Sequence, residues 1–151
     1  MTKNSEERSI GKWVSILYRQ FQIYINRALD EYDINSSEYI FLINISKNQG
    51  VNQKMLSEEL IIDQALTTRV MKSLEEKGYI TRAKNSHDRR AYQIFLTEKG
   101  EKIQPIILGK LKAWTDILAN DLTVEEVDQG IAMLMVMSKN AVQENRGGNE
   151  D

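Results

Sequence analysis

A mainly α-helical fold carrying one small β-hairpin is predicted by three features of this 151-residue chain. Two short helical patterns, residues 52–60 and 63–78, each open on an Asn or Asp and are separated by only Ile61 and Ile62. Directly after Gly78 the apolar period changes from helical to two, over residues 79–82 and 92–96, either side of the polar run 83–91. Long helical patterns flank this centre, residues 10–32 before it and 98–145 after it. In chain order these features make a helix-turn-helix followed by a hairpin wing, set between two helical arms.

The first arm follows a polar start, residues 1–8. From Ile10 to Tyr32 no Gly or Pro interrupts the pattern after Gly11. One stripe reads Ile10, Trp13, Leu17, Phe21, Tyr24 and Ala28, and a second reads Ile16, Ile23 and Ile25. An isolated chain would leave part of that apolar surface in water, so a partner helix is expected. The segment Asn35-Ser36-Ser37-Glu38 has capping-box spacing for a second helix, with Tyr39, Phe41, Leu42 and Ile45 as its apolar content. That helix supports the centre and carries no chemistry of its own.

In the helix-turn-helix, Asn52 and Asp63 can each cap free backbone N–H groups. A two-residue connection forces the helices across each other. On the second helix Thr67, Val70, Met71 and Leu74 recur at helical spacing and face inward, leaving Gln64, Ala65, Thr68, Arg69, Lys72 and Ser73 outward. Gly78 ends this helix with Lys77 in its last turn. The wing that follows holds Arg82, Lys84, Arg89 and Arg90 against one acid, Asp88, for a net +3 over residues 82–90. A run of charge is usually a solvated turn. This one adjoins an outward helix face of Gln64, Thr68, Arg69 and Lys72, and the two together fit a polyanion, so double-stranded DNA is the expected partner.

After the wing, Thr97 caps a helix whose stripe is Ile103, Ile106, Ile107, Leu111, Trp114 and Leu118. Pro105 lies inside it and predicts a bend within residues 101–105. Thr123-Val124-Glu125-Glu126 is a second capping box, opening a last helix with Val127, Ile131, Leu134, Met135, Ser138 and Val142 on one stripe and Met133, Met137 and Ala141 on another. Methionines fill irregular interfaces well, which again points to a partner helix. Residues 143–151 read as a polar disordered tail.

Composition narrows the function. The chain has no Cys and one His, His87, which removes thiol chemistry, zinc fingers and imidazole metal clusters. Glu58-Glu59 and Glu75-Glu76 are neighbours on helices and diverge around them, so no carboxylate pair is set for acid–base catalysis. An enzyme is not expected, nor is a metal or other cofactor. No apolar run approaches the ~18 residues of a membrane span and the charged start lacks a signal-peptide core, so a cytoplasmic protein is expected. Net charge is −2, but it is uneven. Residues 52–97 hold eight basic and six acidic side chains, net +2, leaving −4 for the remainder. Acidic flanks weaken indiscriminate adhesion to nucleic acid and leave binding to a few aimed side chains.

Three fragments together carry a resemblance: DQALTTRVMKSLEEKGYITR (63–82), Asp88 and Arg90 as an Asp-x-Arg pair, and LTEKG (96–100). In that order they resemble the MarR/SlyA family of bacterial and archaeal transcriptional regulators, over nearly the whole chain. The resemblance implies one domain over residues 1–151, with residues 35–97 as the winged helix-turn-helix lobe and residues 10–32 and 98–145 as dimerisation helices. It implies a recognition helix in the major groove, with Gln64, Ala65, Thr68 and Arg69 in reach of base edges and Lys72 nearby. It also implies that Arg90 enters the minor groove, with Asp88 placed to orient it, Arg89 directed to phosphate and Lys84 a further DNA-binding residue of the wing. Leu66 departs from the family pattern, in which that position is small or polar, and this puts base preference there in doubt. The resemblance further implies an effector, often an aromatic acid, between the lobes. Candidates are Trp13, Leu17, Tyr24 and Ile45, with Arg19 as a cation for a carboxylate. The expected function is a homodimeric regulator, a repressor released from a pseudo-palindromic operator by a small molecule. The alternative is a winged-helix protein–protein interaction module without specific DNA binding, and the wing charge and polar helix face argue against it.

Overall fold

A computed structural model describes residues 5–84, 87 and 92–147. Seven helices and a three-stranded antiparallel sheet are present among these residues: α1 (Ile10–Ala28), α2 (Tyr39–Lys47), β1 (Val51–Asn52), α3 (Gln53–Leu60), α4 (Gln64–Glu76), β2 (Ile80–Lys84), β3 (Tyr92–Leu96), α5 (Glu98–Lys102), α6 (Gln104–Leu118) and α7 (Val124–Gly147). The mainly α fold with a small hairpin wing is therefore as expected. Internal contacts group the chain into two compact units, Met1–Lys112 and Ala113–Asp151.

The first unit contains the core. Ile25 and Leu29 meet Phe41, Leu42 and Ile45 of α2, Leu56 of α3, Met71 and Leu74 of α4, Ile80 and Ile94 of the sheet, and Ile107 of α6. The caps predicted at Asn52, Asp63 and Thr97 are made, and Ser9, which the sequence reading does not single out, caps α1. Ser9 accepts from Lys12 N–H at the start of α1, Asn52 Oδ1 from Met55 N–H, Asp63 Oδ1 from Leu66 N–H, and Thr97 Oγ1 from Gly100 N–H. All four are local in sequence, which is why the linear reading finds the last three.

The first arm is shorter than the 10–32 pattern. α1 stops at Ala28, and a 3-10 turn, Asp30–Tyr32, leads to Asp33 in the left-handed conformation at φ 56°. No breaker residue stands there. The stop is tertiary: Leu29 is fully buried, Lys77 Nζ donates to the Asp33 carbonyl at 2.8 Å, and the Tyr79 hydroxyl donates to the Tyr32 carbonyl. The 35–38 box is also made in part, since the Glu38 carboxylate accepts from Asn35 N–H at 3.1 Å.

β1 has no alternation to betray it, being two residues long. Val51 pairs with Ile94 and Asn52 with Gln93, so β3 is central in the order β1-β3-β2. β2 begins one residue later than the 79–82 pattern, because Tyr79 is buried and anchored to Tyr32. Its pairing with β3 runs from Ile80↔Leu96 to Lys84↔Tyr92.

The expected bend is a break at Ile103, between α5 and α6. Pro105 thereby occupies the first turn of α6, where its missing N–H leaves nothing unpaired. Gly100 of α5 lies so close to the sheet that a Cβ there would stand 2.2 Å from the Tyr79 carbonyl oxygen.

In the second unit α7 opens on a complete capping box, Thr123 N–H to Glu126 Oε1 and Glu126 N–H to Thr123 Oγ1. Hydrogen bonding from Thr123, its backbone N–H first, holds the Glu126 carboxyl below its ordinary range. α7 runs to Gly147, past the residue-143 start of the expected tail, because Gln143 to Arg146 contain no breaker and Gly147 is the first. None of its described residues is buried.

Candidate nucleic-acid interface

Helix α4 is positioned from below by apolar contact and from the side by polar contact. Thr67, Val70, Met71 and Leu74 are its buried residues, the stripe predicted. Ser57 Oγ donates to Thr67 Oγ1 at 2.8 Å, and Thr67 Oγ1 donates to the Asp63 carbonyl, so the buried hydroxyls on both sides of the helix crossing are satisfied. The turn between the helices places Ile61 at φ 56°, an uncommon conformation for a β-branched residue.

Gln64, Ala65, Thr68, Arg69 and Lys72 form an exposed row on α4. Ser73 does not join it: its hydroxyl turns inward and donates to Glu38 Oε2 at 2.8 Å. Leu66 is half-buried and packs against the core, which accounts for an apolar residue at that position. Thr68 Oγ1 donates to the Gln64 carbonyl at 2.8 Å and accepts from Gln53 Nε2 at 2.6 Å. Gln53 has no periodicity signal in the sequence, and its reach to α4 follows only from the helix crossing.

Of the wing residues, Lys84 is exposed at the last rung of the hairpin, opposite Tyr92. Asp88, Arg89 and Arg90 lie outside the described residues. Arg82 contributes less charge than its place in the sequence suggests. Its Nε and Nη2 each lie 3.1 Å from a Glu75 carboxylate oxygen, and its guanidinium sits over the Tyr92 ring. The two hydrogen bonds hold the Glu75 carboxyl below its ordinary value. The root of the wing is thus tied to α4 by a forked pair. Between α3, the start of α4 and the wing lies a concavity of about 610 Å³, lined in part by Gln53, Gln64, Arg82 and Tyr92.

The five effector candidates occupy unlike environments. Ile45 is fully buried, and Tyr24 is half-buried with its hydroxyl donating to the Lys110 carbonyl at 2.8 Å. Trp13 and Leu17 are exposed, the Trp13 indole N–H donating to the Glu7 carbonyl at 3.0 Å. Arg19 is exposed and donates to Ser15 Oγ one turn earlier. Among the described residues no three His, Cys, Asp or Glu side chains converge on a metal-sized site, and no helix is long and apolar enough to cross a membrane.

The family model for MarR matches residues 34–92. The HTH-type transcriptional regulator BilQ of Clostridioides difficile is 31% identical, over 94% of this chain and 97% of its own length. A MarR transcriptional regulator from Methanosarcina mazei has a crystal structure similar to this one at TM-score 0.83, with 36% identity over 89% of this chain and 96% of that chain. A MarR protein from Peptoclostridium difficile is similar at TM-score 0.85, with 27% identity over 89% and 88% of the two chains.

Proposed function

Because the chain belongs to the MarR family, we propose that it is a homodimeric, sequence-specific DNA-binding transcriptional regulator, a repressor released from a pseudo-palindromic operator by a small-molecule effector. The observation that carries the DNA reading is the exposed row Gln64, Ala65, Thr68, Arg69 and Lys72 on a capped helix, with Lys84 exposed on the hairpin. These side chains supply both signs of hydrogen-bonding group and no bulky apolar residue, as a base edge requires. Lys84, Arg89 and Arg90 contact phosphate or the minor groove, with Asp88 orienting Arg90. The relatives named above are regulators, and nothing in this chain argues for catalysis.

Homodimerisation is supported by apolar side chains left in water on both arms. On α1, Ile10, Trp13 and Leu17 are exposed, and on α7 so are Ile131, Met133, Leu134, Met135, Val136 and Met137. A second copy burying these faces gives an isologous contact, which places two recognition helices on successive major grooves about 10 bp apart. The effector reading draws on Trp13, Leu17, Arg19, Tyr24 and Ile45, of which Trp13, Leu17 and Arg19 are accessible.

Selection of bound fragments from sheared genomic DNA, followed by titration of the enriched sequences, tests the proposal. Enrichment of an inverted repeat with half-sites about one helical turn apart is expected. Binding that is equal on all fragments, or absent, would overturn it in favour of a winged-helix protein-interaction module. Sedimentation showing a monomer at micromolar concentration would remove the dimer.

A further inference from the structure

We infer that Gln53 is a specificity-determining residue that acts through Thr68: its amide N–H occupies one lone pair of the Thr68 hydroxyl, which keeps the hydroxyl hydrogen on the Gln64 carbonyl and so decides which base edge can donate to Thr68. The inference rests on the reading of α4 as the recognition helix. Thr68 is the one hydroxyl on the exposed row of α4, and a free hydroxyl can rotate to donate or to accept, which makes it a poor discriminator. Here it is not free. Its hydrogen is directed to the Gln64 carbonyl at 2.8 Å, and one lone pair is occupied by Gln53 Nε2 at 2.6 Å.

What remains for a base is the second lone pair and the γ-methyl. That combination favours a thymine methyl, or the amino group of adenine or cytosine. Guanine presents only acceptors, N7 and O6, to the major groove, and an oxygen with no hydrogen to offer cannot pair with them. Thr68 in this setting rejects guanine. Gln53 comes from the first turn of α3, whose crossing with α4 is fixed separately by Ser57 and Thr67. Removal of the Gln53 side chain therefore leaves the helix in place and removes only the N–H that blocks the hydroxyl from turning off the Gln64 carbonyl towards a base acceptor.

The test uses the full-length protein. Thr68→Ala, compared with wild type in selection from a random DNA pool, identifies the base pair that Thr68 reads. Four duplexes differing at that pair are then titrated by fluorescence anisotropy, alongside a random duplex. Wild type is expected to disfavour guanine by roughly 5- to 150-fold, the range a well-made base contact supplies. Gln53→Ala should lose most of that discrimination while its binding to random DNA changes less than two-fold. Thr68→Val, which keeps the methyl and has no hydroxyl to rotate, should go on rejecting guanine even when combined with Gln53→Ala. If Gln53→Ala instead weakens specific and random DNA by the same factor, Gln53 is a phosphate contact and the inference fails. It fails also if the guanine penalty is unchanged. A wild-type protein that selects no sequence at all overturns the operator reading itself, and this inference with it.

Discussion

Lys77 Nζ lies 2.9 Å from Glu38 Oε1 and 2.8 Å from the Asp33 carbonyl oxygen, so one ammonium joins the end of α4 to the segment leading into α2. Glu38 is only 1% exposed, and its carboxylate also accepts from Ser73 Oγ and Asn35 N–H. A carboxylate so placed needs its cation, because unpaired charge in a dry site costs several kcal/mol. Lys77→Met should therefore lower unfolding free energy by about 2–3 kcal/mol, less than the ~3–5 of a fully buried pair because the Lys77 side chain stays 21% exposed. Glu38→Gln with Lys77→Met should recover part of the loss. Urea unfolding of the two single variants and the double variant checks this, and additive losses would mean the two residues do not act as a pair.

Gly100 carries a different constraint, one of space. A methyl group there would meet the Tyr79 carbonyl at 2.2 Å and Leu96 Cδ2 at 3.2 Å. The carbonyl cannot yield, since it accepts from Thr97 N–H at 3.0 Å. Gly100→Ala should cost about 2–3 kcal/mol by forcing α5 off the sheet. A methyl group at Gly109 or Gly130 would meet nothing within 4 Å, so Gly109→Ala and Gly130→Ala should be neutral or stabilising in the same thermal-melt series.

These two sites mark where a linear reading succeeds and where it stops. The caps at Asn52, Asp63, Thr97 and Thr123 join residues three apart, and the inward stripe of α4 repeats within one helix. Both were legible. The Leu-Thr-Glu-Lys-Gly run was legible as a motif, but why its glycine matters required the Tyr79 carbonyl. Ser73 was expected outward because helical phase puts it beside Arg69 and Lys72. Its partner Glu38 is 35 residues away and outweighs phase. Arg82 was counted with the wing charge, while its engagement by Glu75 depends on how β2 returns beside α4. Gln53 was silent for the same reason: its only described side-chain partner is on another helix.

The Arg82–Glu75 pair predicts a pH dependence. The Glu75 carboxyl titrates below its ordinary value of about 4.5, chiefly through the Arg82 hydrogen bonds. A depressed folded-state value means that the stabilisation is fully present above the unfolded value and is lost as pH falls through the lower folded one. Wild type should thus melt higher than Glu75→Gln at neutral pH. The gap should stay constant down to about pH 5 and close under further acidification. A gap independent of pH would show that the carboxylate charge is irrelevant there.

The two wing arginines can be told apart through the acid that precedes them, Asp88. On the proposed reading Arg90 would enter the minor groove and Arg89 would meet phosphate, with Asp88 orienting the Arg90 guanidinium through charge-assisted hydrogen bonds. A narrow A·T-rich groove has an enhanced negative potential, so an inserted arginine reads groove shape. Arg90→Ala should then weaken binding most at operators with A·T-rich flanks. Arg89→Ala should weaken every sequence alike and reduce the salt slope by about one phosphate contact. Asp88→Ala decides between orientation and bulk charge, because removal of a negative charge beside DNA would by itself tighten binding. If Asp88 holds Arg90 in place, operator affinity falls instead, while affinity for random DNA rises or stays level. An Asp88→Ala protein that binds its operator more tightly would reduce the wing to a non-specific basic loop.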